Sequence, residues 1–268
     1  QNDNAGAVRV YQIGSLFSSP TDLVVNYNGS ARQFMEGSSN GYEDNAGQRF
    51  YSVDMNNDGT ALMISLVSNS TNLGPGGYRV FTNGGTSTQQ GSTWTHRTDA
   101  NNTRQYETCS QNGKSAGFHA AMTGDTIASN LANARIVCGS PGDPNPSYTG
   151  DNYHVEIDKW NENYNGANDW ENIHTVTTGN NNDRRGERVA ISDNGNYVLY
   201  SAPMSDDGST DAGQIKLLFG TSTYTLQTSS STINGSENGE ECGSDIAISG
   251  NGRIIAMHCE GYDGSSGN

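Results

Sequence analysis

One hairpin recurs along this chain, and it constrains the fold more than any other feature. It reads Gln48-Arg-Phe-Tyr-Ser-Val-Asp-Met-Asn-Asn-Asp-Gly59 followed by Ala61-Leu-Met-Ile-Ser65. It returns as Glu187-Arg-Val-Ala-Ile-Ser-Asp-Asn-Gly195 with Tyr197-Val-Leu-Tyr-Ser-Ala-Pro203, and as Ser244-Asp-Ile-Ala-Ile-Ser-Gly-Asn-Gly252 with Arg253-Ile-Ile-Ala-Met257. Asn-Gly or Asp-Gly between apolar strands is a strong hairpin signal, because such turns need a residue at positive φ. A degraded copy runs from Phe118-His-Ala-Ala-Met122 through a longer loop to Arg135-Ile-Val137. The first strand of each repeat recurs as well: Gly6-Ala-Val-Arg-Val-Tyr11, Gly76-Gly-Tyr-Arg-Val-Phe81, Asp151-Asn-Tyr-His-Val-Glu156 and Gly213-Gln-Ile-Lys-Leu-Leu218. Apolar and polar residues alternate there, as in a half-buried strand. The matching residues Val10, Val80, Val155 and Leu217 are 70, 75 and 62 residues apart. In two repeats a Trp-bearing strand follows, with Trp94 and Trp170.

Four strands per repeat predict an all-β fold, a β-propeller of four-stranded antiparallel blades. The repeats start near residues 6, 76, 151 and 213 and make residues 1–268 one domain. Counting from Leu217 across the chain ends to Val10 gives 61 residues, one more period. The N- and C-terminal strands are therefore expected to share the closing blade, which would remove exposed sheet edges. A larger ring is the alternative. With 32% hydrophobic residues and 34 glycines, the chain suits many short strands and many turns.

The repeats resemble the FG-GAP family, the blades of integrin α-subunit propellers, in the long, degenerate form of secreted algal and microbial proteins. The resemblance rests on Gly47-Gln-Arg-Phe50, Asp54-Met-Asn-Asn-Asp-Gly59, Gly186-Glu-Arg-Val189, Ser201-Ala-Pro203 and Cys138-Gly-Ser-Pro141, with Gly-x-Val-x-Val-Tyr at the recurring strand. No copy carries an intact Phe-Gly and Gly-Ala-Pro pair. The resemblance implies an extracellular interaction or scaffold role, with calcium in blade loops.

Asp54, Asn56 and Asp58 offer oxygens at alternate positions before Gly59, the donor pattern of a calcium loop. Leu62 stands where the family loop supplies a further carboxylate, and Ala190 and Ala247 stand where the other copies would match Asp54. The alternative is a plain hairpin turn. The four cysteines form no Cys-x-x-Cys pair, which leaves disulfides as the reading. If Gly250-Asn251 is a two-residue turn, paired residue numbers sum to 501, and so do Cys242 and Cys259; Cys109 and Cys138 then pair by elimination, within the second blade. Sequons at Asn28, Asn69, Asn101 and Asn234 are candidate glycosylation sites. The five histidines show no metal-ligand spacing, although His154 and His174 could face each other on adjacent strands.

The net charge is −15, and no basic patch suggests nucleic acid. No apolar run reaches the length of a membrane span. No hydrolase elbow, phosphate loop or dinucleotide fingerprint is present. The expected function is a non-enzymatic structural or adhesive module of a cell surface, matrix or filament. It would bind protein or glycan, or self-assemble. The rivals are a carbohydrate-active propeller enzyme and a lectin that stacks sugars on Trp94, Trp160 and Trp170.

Overall fold

The computed structural model describes residues 7–8, 11–12, 21–22, 24–27, 30–32, 35–36, 48–68, 76–83, 93–97, 107–109, 117–126, 131–142, 153–164, 167–177, 182–221, 223–226 and 231–262. It is an all-β chain. Short strands β1 (Ala7–Val8), β2 (Tyr11–Gln12), β3 (Thr21–Asp22), β4 (Val24–Tyr27), β5 (Ser30–Arg32) and β6 (Met35–Glu36) come first. A first large sheet follows with β7 (Gln48–Met55), β8 (Ala61–Ser68), β9 (Gly77–Thr82), β10 (Thr93–His96) and β11 (Glu107–Thr108). The second sheet is β12 (His119–Met122), β13 (Arg135–Ser140), β14 (His154–Tyr164) and β15 (Ala167–Val176). The third holds β16 (Val189–Ile191), β17 (Tyr197–Ala202), β18 (Gln214–Phe219), β19 (Thr225–Leu226) and β20 (Thr232–Asn234). The hairpin β21 (Cys242–Ile248) and β22 (Ile255–Cys259) closes the order.

Three sheets thus contain the expected antiparallel path of four consecutive strands, β7–β10, β12–β15 and β16–β19. The phase differs from the sequence reading. The strand taken as opening each repeat is the third of its sheet: β9, β14 and β18 pair with β8, β13 and β17. Each sheet begins instead with the recurring hairpin. The shared closing blade is not among the described pairings, since β22 pairs with β21, while β1 pairs with β6 and β2 with β3. The first sheet also extends past β10 through a parallel pairing with β4.

The core lies between successive sheets. Ala120, Met122, Ile136 and Cys138 of the second sheet pack with Met63, Tyr78 and Val80 of the first. Their strand neighbours Ala121 and Val137 pack with Val189, Val198 and Leu218 of the third. This is the period-two alternation of a sheet buried on both faces, with an apolar layer on each side. Trp160 and Trp170 face each other across β14 and β15, 5.5 Å apart and edge-on, and Tyr78 meets Trp170 edge-on at 5.7 Å. Trp94, Trp160 and Trp170 are all buried, so the lectin rival loses its stacking surfaces.

The hairpins share one construction. Ser192 pairs with Tyr197 and Ser249 with Ile254 around four-residue loops, and Asn56 pairs with Ala61 in the same way. In each, a side-chain oxygen of the first residue accepts the amide at the far end of the loop: Asn56 from Ala61, Ser192 from Tyr197, Ser249 from Ile254. Gly59, Gly195 and Gly252 take φ of 66°, 71° and 72°, the left-handed conformation that explains the recurring glycine. In the degraded copy Thr123 plays the same part, its hydroxyl accepting the amide of Arg135.

The sheets approach closely at one point. A Cβ on Gly139 of β13 would lie 1.9 Å from the carbonyl oxygen of Gly186, which leads into β16. Only glycine fits there, because backbone stands on the other side. Among the described residues no helix is long and apolar enough to cross a membrane.

Candidate active site

The opening strands of four successive units, β7, β12, β16 and β21, surround one cavity of about 310 Å³. Side chains of one opening strand bond the backbone of the next. Ser52 Oγ accepts the Ala120 amide at 3.1 Å, and Asp54 Oδ2 accepts the Met122 amide at 2.9 Å. One step around, His119 Nδ1 accepts the Val189 amide at 3.5 Å. At the end of the cavity with the hairpin turns, loops join in sequence: the Asn57 amide donates to Gly124, the Asp125 amide to Asp193, and the Asp193 amide to Gly250. The Asp193 carboxylate fits between Gly124 and Gly250. A Cβ on either would lie 2.2 Å or 2.0 Å from its oxygens.

Asp54, His119 and Asp193 are the titratable side chains of the lining; the rest is mainly apolar, including Met122, Ile191 and Ile248. Burial pushes the Asp54 carboxyl up, against the amides of Met122 and Met55, which favour its ionised form. Burial, helped by the Arg188 guanidinium, holds His119 down at about 4, so its ring is neutral at pH 7. With Nδ1 accepting from Val189, the ring proton is assigned to Nε2. Among the described residues no lysine or arginine lines the cavity.

Of the sequence-derived site residues, only Asp54 belongs to this cavity. The calcium triplet is used otherwise. Both oxygens of Asp54 accept amides, from Met55 and Met122. Asn56 Oδ1 accepts the amides of Thr60 and Ala61, and Nδ2 donates to Thr60 and to the carbonyl of Thr126. Asp58 is exposed at the loop tip. Among the described residues no group of three or more His, Cys, Asp or Glu side chains could hold a metal.

The structure joins Cys109 to Cys138 and Cys242 to Cys259. Cys109 follows β11, which pairs with β9, and Cys138 lies on β13, so this bridge ties the first sheet to the second rather than closing a loop within one blade. The last hairpin corrects the expected register. From Asp245–His258 to Ile248–Ile255 the pairs sum to 503, because the loop holds four residues. A bulge at Gly243 and Ser244 then restores Cys242 opposite Cys259. His154 and His174 do not face each other: His154 Nε2 lies 2.8 Å from the carbonyl of Cys109, and His174 is opposite Ile157. Asn234 is exposed on β20, its Oδ1 accepting from Gln214 at 2.7 Å; Asn28, Asn69 and Asn101 lie outside the described residues.

Sequence reasoning missed His119 and Asp193 as site residues. The available signal was alignment of the hairpins, which sets Asn57, Gly124, Asp193 and Gly250 at one position.

No family model matches the chain, and no curated protein matches it. Among the solved structures similar to this chain are two from Bacteroides. One, from Bacteroides fragilis NCTC 9343 and assigned by inference as a 6-phosphogluconolactonase, superposes with a TM-score of 0.48 at 13% identity, over 94% of this chain. The other, from Bacteroides uniformis ATCC 8492 and assigned in the same way, has a TM-score of 0.47 at 11% identity, over 84% of this chain. The chain spans just over half the length of each, 57% and 52%. Neither assignment names the FG-GAP family. Both neighbours are assigned as enzymes, which runs against the expectation of a non-enzymatic structural or adhesive module. The likeness is too slight to transfer a substrate or a mechanism to this chain.

Proposed function

We propose that this protein is an acid–base enzyme acting on a small, uncharged, polyhydroxylated molecule held in the cavity between β7, β12, β16 and β21. The carrying observation is that one cavity holds two titratable groups that burial drives toward their uncharged forms, Asp54 upward and His119 down to about 4. Titratable groups perturbed by burial in one concave site mark candidates for proton transfer. In this reading Asp54 carries the exchangeable proton, and neutral His119 orients the substrate. The Asp193 carboxylate accepts hydrogen bonds and the Asp54 carboxyl exchanges a proton, so the ligand must supply groups that serve both, as hydroxyl groups do. Carboxylates without a lining cation disfavour a phosphorylated ligand. The opening strands are read as the inner wall of a propeller, and the two disulfides support an oxidising, extracellular setting.

Two measurements test this reading. Calorimetric titration with D-glucitol and with its 6-phosphate should show binding of the uncharged compound and none of the phosphate. Hydrolysis of D-glucono-1,5-lactone should exceed background and drop at least tenfold in Asp54→Asn. Tighter binding of the phosphate, or hydrolysis unchanged in the variant, would overturn it.

A further inference from the structure

Each opening strand brings one large side chain to the end of the cavity opposite the hairpin turns. They are Tyr51 on β7, Phe118 before β12, Arg188 before β16 and Asp245 on β21. They touch in succession. Tyr51 and Phe118 rings lie 4.1 Å apart at 35°, the Arg188 guanidinium lies 5.7 Å above the Phe118 ring, and Arg188 Nε lies 3.7 Å from Asp245 Oδ1. All stand one or two residues before cavity-lining residues of their own strands: Val53, His119, Val189 and Ile246.

Tyr51 differs from the other three. Phe118 is held between Tyr51 and Arg188, and Arg188 between Phe118 and Asp245. Among the described residues Tyr51 has one ring neighbour, Phe118, and it is 51% exposed. It stands two residues before Val53, which is 58% exposed and lines the cavity, across a register shift between Phe50 and Val53. Phe118, braced by a cation on its face, fixes the Tyr51 ring beside the opening. An exposed aromatic ring held rigid beside a cavity is a stacking surface for the flat apolar face of a ring-shaped ligand.

We infer that Tyr51 is a specificity-determining residue that selects cyclic over open-chain polyhydroxylated ligands by stacking on their ring at the mouth of the cavity. This rests on the cavity being the ligand site. Asp54, His119 and Asp193 then bond the hydroxyl groups, and Tyr51 covers the one apolar face such a ligand presents. Arg188 is a positioning residue, neutralised by Asp245 and committed to Phe118, and it makes no contact with the ligand.

The test compares methyl β-D-glucopyranoside with D-glucitol by calorimetric titration of wild type, Tyr51→Ala and Asp54→Asn. Wild type should bind the pyranoside about tenfold more tightly than the open-chain compound. Tyr51→Ala should lose that preference while binding glucitol as wild type does, and Asp54→Asn should weaken both. Equal binding of the two probes by wild type, or a preference unchanged in Tyr51→Ala, overturns the inference and leaves the cavity reading standing. Binding of neither probe by wild type overturns both. A thermal melt of Tyr51→Ala equal to that of wild type confirms that the variant is folded.

Discussion

Asp158 offers the sharpest test of how the sheets are joined. It lies on β14, fully enclosed, with its two oxygens accepting from Tyr78 Oη of the first sheet at 2.8 Å and from Asn172 Nδ2 of β15 at 3.0 Å. Burial, with the charges of Glu156 and Asp169 adding to it, pushes its carboxyl up to about 7 from 3.8, against the bonds from Tyr78 and Asn172. The folded state therefore holds a proton that the unfolded state releases between these values. The stability this group contributes is complete below about pH 4 and is lost as pH rises toward 7. A shift of this size corresponds to about 4 kcal/mol. Asp158→Asn removes the titration and keeps both contacts, with the amide oxygen toward Asn172 and the amide nitrogen donating to a Tyr78 hydroxyl that turns to accept. Guanidinium denaturation of both proteins, with disulfides oxidised, at whole pH values from 4 to 8 measures the effect. The variant should gain on wild type by about 1.4 kcal/mol per pH unit through this range and then level off. Parallel stability curves, or a gap that moves in the opposite direction, would refute the burial argument.

Further outcomes follow from the same contacts. Gly139→Ala drives a Cβ to 1.9 Å from the Gly186 carbonyl and should lower stability by at least about 2 kcal/mol in the same denaturation assay. Cys242→Ser with Cys259→Ser opens a bridge 17 residues apart in sequence and should cost about 3 kcal/mol. Non-reducing peptide mapping should recover Cys109 bonded to Cys138. His96, held down at about 3 by burial and the Arg79 charge, and His119, at about 4, are neutral when folded. Their contribution is complete above about pH 6.5 and is lost on acidification, so His96→Gln and His119→Gln should each flatten the acid limb of the stability curve.

What was legible in the sequence depended on local signals. The turns at Gly59, Gly195 and Gly252 were readable because the chain demands positive φ there. The four-residue loops were not, since Asn-Gly also suits a two-residue turn, and the register of the last hairpin came out two residues away. The cysteine partners were readable, but the bridge from Cys109 reaches a different sheet because β11 returns to pair with β9. The triplet Asp54, Asn56 and Asp58 looked like metal ligands because oxygen spacing alone does not reveal that amides already occupy the oxygens of Asp54 and Asn56. Strict alternation with the buried Ile157 would turn Asp158 outward. A bulge beside Ile157 breaks that alternation, so Ile157 and Asp158 are both buried. The cavity itself depends on strands that lie far apart in sequence, and no local pattern marks their meeting.

The account stands or falls on those four strands enclosing one ligand cavity. Amide chemical-shift mapping during titration with D-glucitol tests it directly. The account predicts joint perturbation of Asp54, His119–Met122, Val189–Ile191 and Ile246–Ile248, saturating together. Shifts confined to one sheet, or residues of these strands responding at different ligand concentrations, would contradict it.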